Sequence, residues 1–288
     1  MIVVSERSLL RKQILNWKSQ GKTIGFVPTM GALHEGHLSL VAQSLAQTDV
    51  TVVSIFVNPM QFCPTEDLAR YPRPIEADKA LLHGAGVTCL FLPTEQTLYP
   101  RSIRFTTCIE VPSLSRLWCG KTRRHHFRGV CMIVNRLLNL VSPSFLYLGE
   151  KDFQQLVIVK TMVQDLFIPV TVLSCPIVRE SDGLAMSSRN QYLSAEERSI
   201  APVIYQALQA SLKGFQTGDL NSKRLLARAA SILCTKLAIQ CEYLAVINPK
   251  TLKPKGQASE NDKLIFAGRL GKIRLIDNIA LTAPHRIS

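Results

Sequence analysis

The chain has 288 residues, 47% of them apolar, enough to bury one large core or two modest ones, and two is the expectation at this length. It holds no run of about 18 apolar residues and no basic stretch leading into an apolar one near its start, so neither a membrane span nor a signal peptide is expected. A net charge of +13 with a pI near 9.6 would suit a nucleic-acid binder. The basic residues are scattered, however, apart from Lys121-Thr-Arg123-Arg124-His125-His126-Phe127-Arg128, and such a cluster serves a small anion equally well, so no specific nucleic-acid partner is expected.

Along the chain, Val-, Ile- and Phe-rich runs predict strands at residues 24–27, 50–57, 87–92, 145–148 and 170–173. Helical periodicity falls between and after them, at 36–47, 76–84, 130–141 and 153–166. This βαβα rhythm predicts an α/β fold, a parallel sheet with helices on both faces, whose ligands sit beyond the carboxyl ends of the strands. His34, Asn58, Gln61 and Lys151 each follow a strand end and are expected around one crevice. Past a polar loop at 178–190, Ser194-Ala-Glu-Glu197 reads as a capping box opening a helix that runs to about Phe215. A second helix is expected at about 222–239, then short strands at 243–247, 264–267 and 273–276, the last leading into Asp277-Asn278. The chain thus divides into 1–176 and a smaller α+β domain at 177–288. The eight cysteines form no Cys-x-x-Cys pair and no zinc-like spacing with the six histidines, which points to reduced thiols in a cytoplasmic protein.

Val27-Pro28-Thr29-Met30-Gly31-Ala32-Leu33-His34-Glu35-Gly36-His37 is the most informative stretch, a strand breaking through a Pro/Gly turn into a helix. A strand-to-helix junction offers free backbone N–H groups and the positive end of the helix dipole to an anion. His34 and His37 share one helix face. Two histidines at this spacing alone would equally be a metal pair or surface residues; the preceding turn favours a nucleotide-phosphate site.

Three further blocks join this one: Phe56-Val-Asn58-Pro-Met-Gln61-Phe, Gly149-Glu-Lys151-Asp152-Phe-Gln-Gln155-Leu and Asp182-Gly-Leu-Ala-Met186-Ser-Ser188-Arg189-Asn. In order and spacing the four closely resemble the pantoate–β-alanine ligase family of the class I aminoacyl-tRNA-synthetase-like nucleotidyltransferases, over essentially the whole chain. The resemblance implies a Rossmann-like domain with a C-terminal lid and a homodimer. It also implies ATP-dependent joining of (R)-pantoate to β-alanine through a pantoyl adenylate, with AMP and diphosphate released and Mg2+ accompanying the nucleotide. Met30, Gly31, Ala32, Leu33, His34, Glu35, Gly36 and His37 match the family's ATP segment, and the residue matching His37 serves there as proton donor. Gly149, Glu150, Lys151 and Asp152, with Val178 through its main chain and Met186, Ser187, Ser188 and Arg189, match its other ATP contacts. Gln61 matches a residue serving both pantoate and β-alanine, and Gln155 one serving pantoate.

The chemistry of these residue types agrees with those roles. A carboxylate attacking an α-phosphorus adds charge to phosphoryl oxygens, and preset donors such as His34, His37 and Lys151 meet it. Uncharged Gln61 and Gln155 suit a hydroxyl-bearing substrate. An enzyme transferring a nucleotide to a phosphorylated acceptor would want extra Arg or Lys there, and an RNA-binding relative would need a basic module or an aromatic stripe. Departures from the family pattern are Arg124-His125 where Pro-Gly is usual, Arg136 where Lys is usual, and Ala77-Asp78 for an acidic pair. The last leaves Asp78 to reach a metal only through water.

Overall fold

The computed structural model describes residues 1–63 and 66–283, which form two compact units. In chain order the first unit runs β1 (Ile2–Val4), α1 (Arg7–Ser19), β2 (Ile24–Thr29), α2 (Glu35–Gln47), β3 (Val50–Ile55), α3 (Ile75–Gly84) and β4 (Cys89–Phe91). Three single-turn helices follow, α4 (Glu95–Leu98), α5 (Pro112–Ser115) and α6 (Cys119–Thr122), then α7 (His126–Val141), β5 (Phe145–Gly149), α8 (Phe153–Asp165) and β6 (Thr171–Cys175). Its six strands are all parallel, in the order β1-β4-β3-β2-β5-β6. Near-continuous apolar runs such as Ile24 to Val27 belong in a sheet covered on both faces, and Ile24, Phe26 and Val27 are fully buried.

Each of the five strands expected in this region is present, with ends shifted by a few residues. β1 and α1 carry no counterpart in the sequence reading. β1 is a three-residue edge strand, and α1 buries only Leu10, Ile14 and Trp17 from a mostly polar helix. α7 begins at His126, four residues before the apolar periodicity suggests, after His125 adopts a left-handed φ of 70°.

Lys151–Phe153 group with the second unit, whose main body starts at Ile177, so the division is not a single cut in the chain. That unit contains α9 (Ala195–Ile200), α10 (Val203–Gln216), α11 (Ser222–Leu233), β7 (Ile239–Ile247), β8 (Lys263–Leu270) and β9 (Ile273–Ala280). The antiparallel sheet β7-β8-β9 and α10 and α11 share a core that includes Leu208, Leu225, Val246 and Phe266. The capping box is present: Ser194 Oγ accepts from Glu197 N at 3.2 Å and Glu197 Oε2 from Ser194 N at 2.8 Å. The single helix expected up to Phe215 is instead α9 and α10, parted at Pro202, which supplies no N–H to continue the ladder. α11 stops at Leu233, and Ile239 belongs to β7, paired with Leu270. Among the described residues no helix is long and apolar enough to cross a membrane.

Two close approaches carry testable consequences. A Cβ on Gly25, in the central strand β2, would run into Ser44 Oγ of α2 and lie 2.7 Å from Thr48 Oγ1, so α2 rests on bare backbone there. Gly25→Ala should cost about 1–3 kcal/mol through overpacking, read as a lowered denaturant midpoint at constant m-value. His125 holds a conformation that favours glycine, so His125→Gly should gain about 1 kcal/mol, measured the same way.

Candidate functional site

β2 ends at Thr29, and the turn that follows is held by polar groups from the strand, from β3 and from α3. Thr29 Oγ1 donates to Ser54 O at 2.9 Å and accepts from Gly31 N at 3.2 Å. Gly31 and Ala32 take left-handed φ values of 81° and 50°. This twist turns the N–H groups of Ala32 and Leu33 toward the two carboxylate oxygens of Asp78, at 2.9 and 2.8 Å. Asp78 lies in the first turn of α3 and is only 1% exposed. The geometry therefore gives it a different task from the water-mediated metal contact expected of it: it is the buried anchor of the turn.

The two histidines cap α2 reciprocally. His34 is the N-cap, and its Nδ1 accepts from Gly36 N at 3.1 Å, while His37 Nδ1 accepts from His34 N at 3.4 Å. Their rings lie 4.1 Å apart between centroids, tilted by 46°. A ring nitrogen that accepts from a backbone N–H carries no proton, so each neutral ring holds its proton on Nε2. His37 N and Leu38 N both donate to His34 O. The N–H groups of Gly36, His37 and Leu38 are thus engaged within the turn and those of Ala32 and Leu33 on Asp78. The positive end of the α2 dipole lies at this junction and favours an anion.

Asn58 and Gln61 stand on the turn after β3. Asn58, 1% exposed, is a hub: its Nδ2 donates to Gln61 Oε1 and to Gly129 O, each at 3.1 Å. Its Oδ1 accepts from Tyr99 Oη at 2.8 Å and from Met60 N at 3.3 Å. Burial pushes the Tyr99 phenol up to about 12, which keeps it a donor, and Arg136 stacks 4.7 Å from its ring centroid. Gln61 Nε2 in turn reaches Met30 Sδ at 3.0 Å, joining the glutamine to the β2–α2 turn.

A second set of bonds fixes the main chain of Gln61. Its carbonyl accepts from His126 Nδ1 at 2.6 Å, and His126 Nε2 meets Arg123 Nη1 at 3.0 Å. Arg123 forms a two-pronged pair with Glu66, at 2.5 and 2.9 Å. Burial works to raise the Glu66 carboxyl, but the bond and charge of Arg123 outweigh it and leave the group below its ordinary value. A Cβ on Gly129 would meet Met60 O and lie 2.7 Å from Gln61 N, so α7 packs directly on this turn. Thus Arg123 and His126 keep a working geometry although Arg124-His125 stands between them. Gln155 lies part-exposed in the first turn of α8. Its neighbour Gln154 is structural, bonded to Leu114 O, Leu117 O and Cys119 N.

In the second unit, residues 178–186 fold into a tight hairpin. Met186 N donates to Val178 O at 3.0 Å, Arg179 bridges to Ala185, and Gly183 takes a φ of 92° at the tip. Ser187 Oγ then accepts from Arg189 N at 3.3 Å and opens a 3-10 turn at Ser188–Tyr192. Arg198 braces the hairpin from Glu180 at 2.5 Å and Asp182 at 2.6 Å, and its bond holds Asp182 below the usual carboxylate range. Asn190 Nδ2 ties the turn back to Glu180 Oε1 at 2.8 Å. Arg179 makes a two-pronged pair with Asp277, at 2.7 and 2.9 Å, and lies 3.8 Å from the Tyr205 ring centroid. The carbonyl of Lys151 accepts from Asn278 Nδ2 at 3.2 Å. Gly149 and Glu150 precede this lysine in the first unit, and Asp152, beside it in the second, is exposed. Asp78 as anchor, Tyr99, Gly129, Arg179 and Arg198 had no role in the sequence reading, because each acts through contacts remote in the chain.

The family model for pantoate–β-alanine ligase matches residues 2–280. The chain is 46% identical over 280 residues to "Pantothenate synthetase" of Sulfurihydrogenibium sp., covering 97% of this chain and 99% of the relative. It is 48% identical over 266 residues to "Bifunctional pantoate ligase/cytidylate kinase" of Synechococcus elongatus, covering 92% of this chain. The chain spans about half the length, 50%, of that bifunctional relative. Among solved structures, pantothenate synthetase from Thermus thermophilus aligns with a TM-score of 0.93 at 44% identity, covering 98% of this chain and 100% of that one. The pantoate–β-alanine ligase from Francisella tularensis, complexed with "Beta-gamma ATP and Beta-alanine", aligns with a TM-score of 0.81 at 34% identity, covering 98% of each chain. By the full-length match of the family model and by these identities, the chain belongs to the pantoate–β-alanine ligase family.

Proposed function

We propose that the chain condenses (R)-pantoate with β-alanine using ATP, through a pantoyl adenylate, releasing AMP and diphosphate. The observation that carries this reading is the reciprocal cap of His34 and His37, two side-chain donors fixed in tautomer and orientation before any ligand arrives. In the first step a pantoate carboxylate oxygen attacks the α-phosphorus, and the bond from that phosphorus to the diphosphate oxygen breaks. Charge grows on the phosphoryl oxygens, where preset donors lower the barrier without reorganising. In the second step the β-alanine amine attacks the acyl carbon, loses a proton, and AMP leaves with the bonding pair.

Within this reading His34 and His37 serve the nucleotide phosphates, and Lys151, Ser187, Ser188 and Arg189 the leaving diphosphate. Gln61, with its carbonyl and side chain both fixed, orients pantoate and β-alanine, and Gln155 orients pantoate. A Lys at 151 acts as a point charge and Arg189 as a planar fork, which suits a diphosphate that gains charge as it departs. Names of the relatives support the substrate assignment, and the Francisella complex supports ATP and β-alanine as ligands.

Among the described residues no group of three or more His, Cys, Asp or Glu side chains is placed to hold a metal, and Asp78 is taken up by the turn. In this reading Mg2+ accompanies the phosphates of ATP, the usual mode for this ion. We further take the enzyme to be a cytoplasmic homodimer. Its eight cysteines, all free thiols, support the location, and light scattering tests the dimer.

Labelled diphosphate should exchange into ATP with enzyme, Mg2+ and pantoate present and β-alanine absent, and the exchange should stop without pantoate. Exchange that needs β-alanine would favour a concerted path, and release of inorganic phosphate in place of diphosphate would overturn the adenylate.

His37→Ala should lower kcat by about 3–4 kcal/mol of transition-state stabilisation, the cost of one preset donor. It should also cost about 1 kcal/mol of stability as a lost cap, seen in thermal melts. Near-normal turnover in a folded variant would remove His37 from the reaction.

A further inference from the structure

Two neighbouring residues of β9, Asp277 and Asn278, touch Lys151 and the root of the hairpin that leads into Ser187, Ser188 and Arg189, the residues that the proposed function assigns to phosphate. Asn278 Nδ2 donates to Lys151 O at 3.2 Å, and Lys263 Nζ of β8 sits 4.9 Å from the ring centroid of Phe153, two residues on. These contacts are why Lys151–Phe153 group with the second unit while Glu150 and Gln154 on either side do not. Asp277, 5% exposed, receives both prongs of Arg179, and Arg179 Nη2 also donates to Asn278 O at 3.2 Å. Arg179 lies at the root of the hairpin that leads into Met186, and its Nη1 reaches over to Gly183 O at 3.0 Å. Burial raises the Asp277 carboxyl; the Arg179 bond and then the charge of Lys151 oppose it, so the lysine ammonium acts on this carboxylate as well.

We propose that Asp277 and Asn278 are positioning residues for ATP: one strand turn sets the register of Lys151 against the loop at 186–189, so that both present their donors as one rigid array. This rests on the reading of Lys151 and that loop as phosphate contacts. The chemistry suits the task. Asn278 grips a main-chain carbonyl, which fixes where the lysine stem begins and leaves the flexible ammonium to find its phosphate. A two-pronged Arg–carboxylate pair stacked on Tyr205 fixes the hairpin in rotation as well as distance. Neither residue touches a reacting atom, so their effect must pass through Lys151 or the hairpin.

The test is a double-mutant cycle of Asn278→Ala with Lys151→Ala, using the full chain. Pantoate-dependent diphosphate–ATP exchange, calorimetric affinity for ATP with Mg2+, the KM for pantoate and thermal melts are measured for each variant. Asn278→Ala should slow exchange and weaken ATP roughly tenfold, the size expected for one lost buried hydrogen bond, with the KM for pantoate unchanged. In the Lys151→Ala background it should add little, because the group it positions is gone. Additive losses, unchanged exchange, or a KM for pantoate that rises as much as ATP affinity falls would overturn the proposal. Should Asn278→Ala fold poorly, Asn278→Asp keeps the size, puts an acceptor where the donor was, and is held to the same outcomes. If Lys151→Ala alone leaves exchange intact, the phosphate role of Lys151 fails; if it abolishes exchange while the Asn278 effect is additive, only the positioning role fails.

Discussion

Burial of the Asp78 carboxylate under the β2–α2 turn is the constraint on which the first unit's site depends. A carboxyl group at 1% exposure is tolerable only with hydrogen-bond partners, and the N–H groups of Ala32 and Leu33 are those partners. They can face it because Gly31 and Ala32 take left-handed conformations, a cost of about 1–2 kcal/mol at the alanine. The same twist delivers His34 to the N-cap in extended geometry, from which its ring reaches Gly36 N. The backbone donors of Ala32 and Leu33 are thereby committed to Asp78. A cradle of backbone N–H groups binds any anion of suitable shape, whereas two oriented imidazoles demand acceptors at two particular points.

The second unit solves a related problem with charge instead of caps. Its hairpin at 178–186 is too short to bury a core of its own. Arg179 and Arg198 brace it from opposite ends, on Asp277 and on Glu180 with Asp182. The inner pair is largely sheltered from water, and removing one partner would strand a charge in an apolar setting. The outer pairs are half-exposed and contribute less, each within the range of surface ion pairs.

Local chemistry was the legible part of both units. The βαβα rhythm, the Pro/Gly turn before His34 and the capping box at Ser194 are all written in neighbouring residues, and each has its place in the fold. What escaped depends on distant partners. Asp78 reads in sequence as an acid that reaches a metal through water, and only its bond to the β2–α2 turn, 46 residues away, marks it as an anchor. Tyr99, Gly129 and Asn278 are ordinary in sequence and acquire meaning from Asn58, Gln61 and Lys151. The break at Pro202 was readable, but apolar periodicity on both sides of it masked the interruption. Family resemblance supplied roles for Gln155 and Asp152 that the geometry of this chain does not by itself reveal.

The bond between Lys151 and Asn278 spans 127 residues of chain, and this separation bears on how the protein is made. Closing so long a loop is entropically costly, and the cost is met only by the contacts that form with it. The parallel sheet can assemble once β6 has emerged from the ribosome, but the bond from Asn278 and the contact of Lys263 with Phe153 form only when β8 and β9 fold. A nascent chain would thus hold a finished sheet beside an unfixed lysine. If Lys151 serves phosphate as proposed, that competence arrives only at the close of folding, when the second sheet is complete.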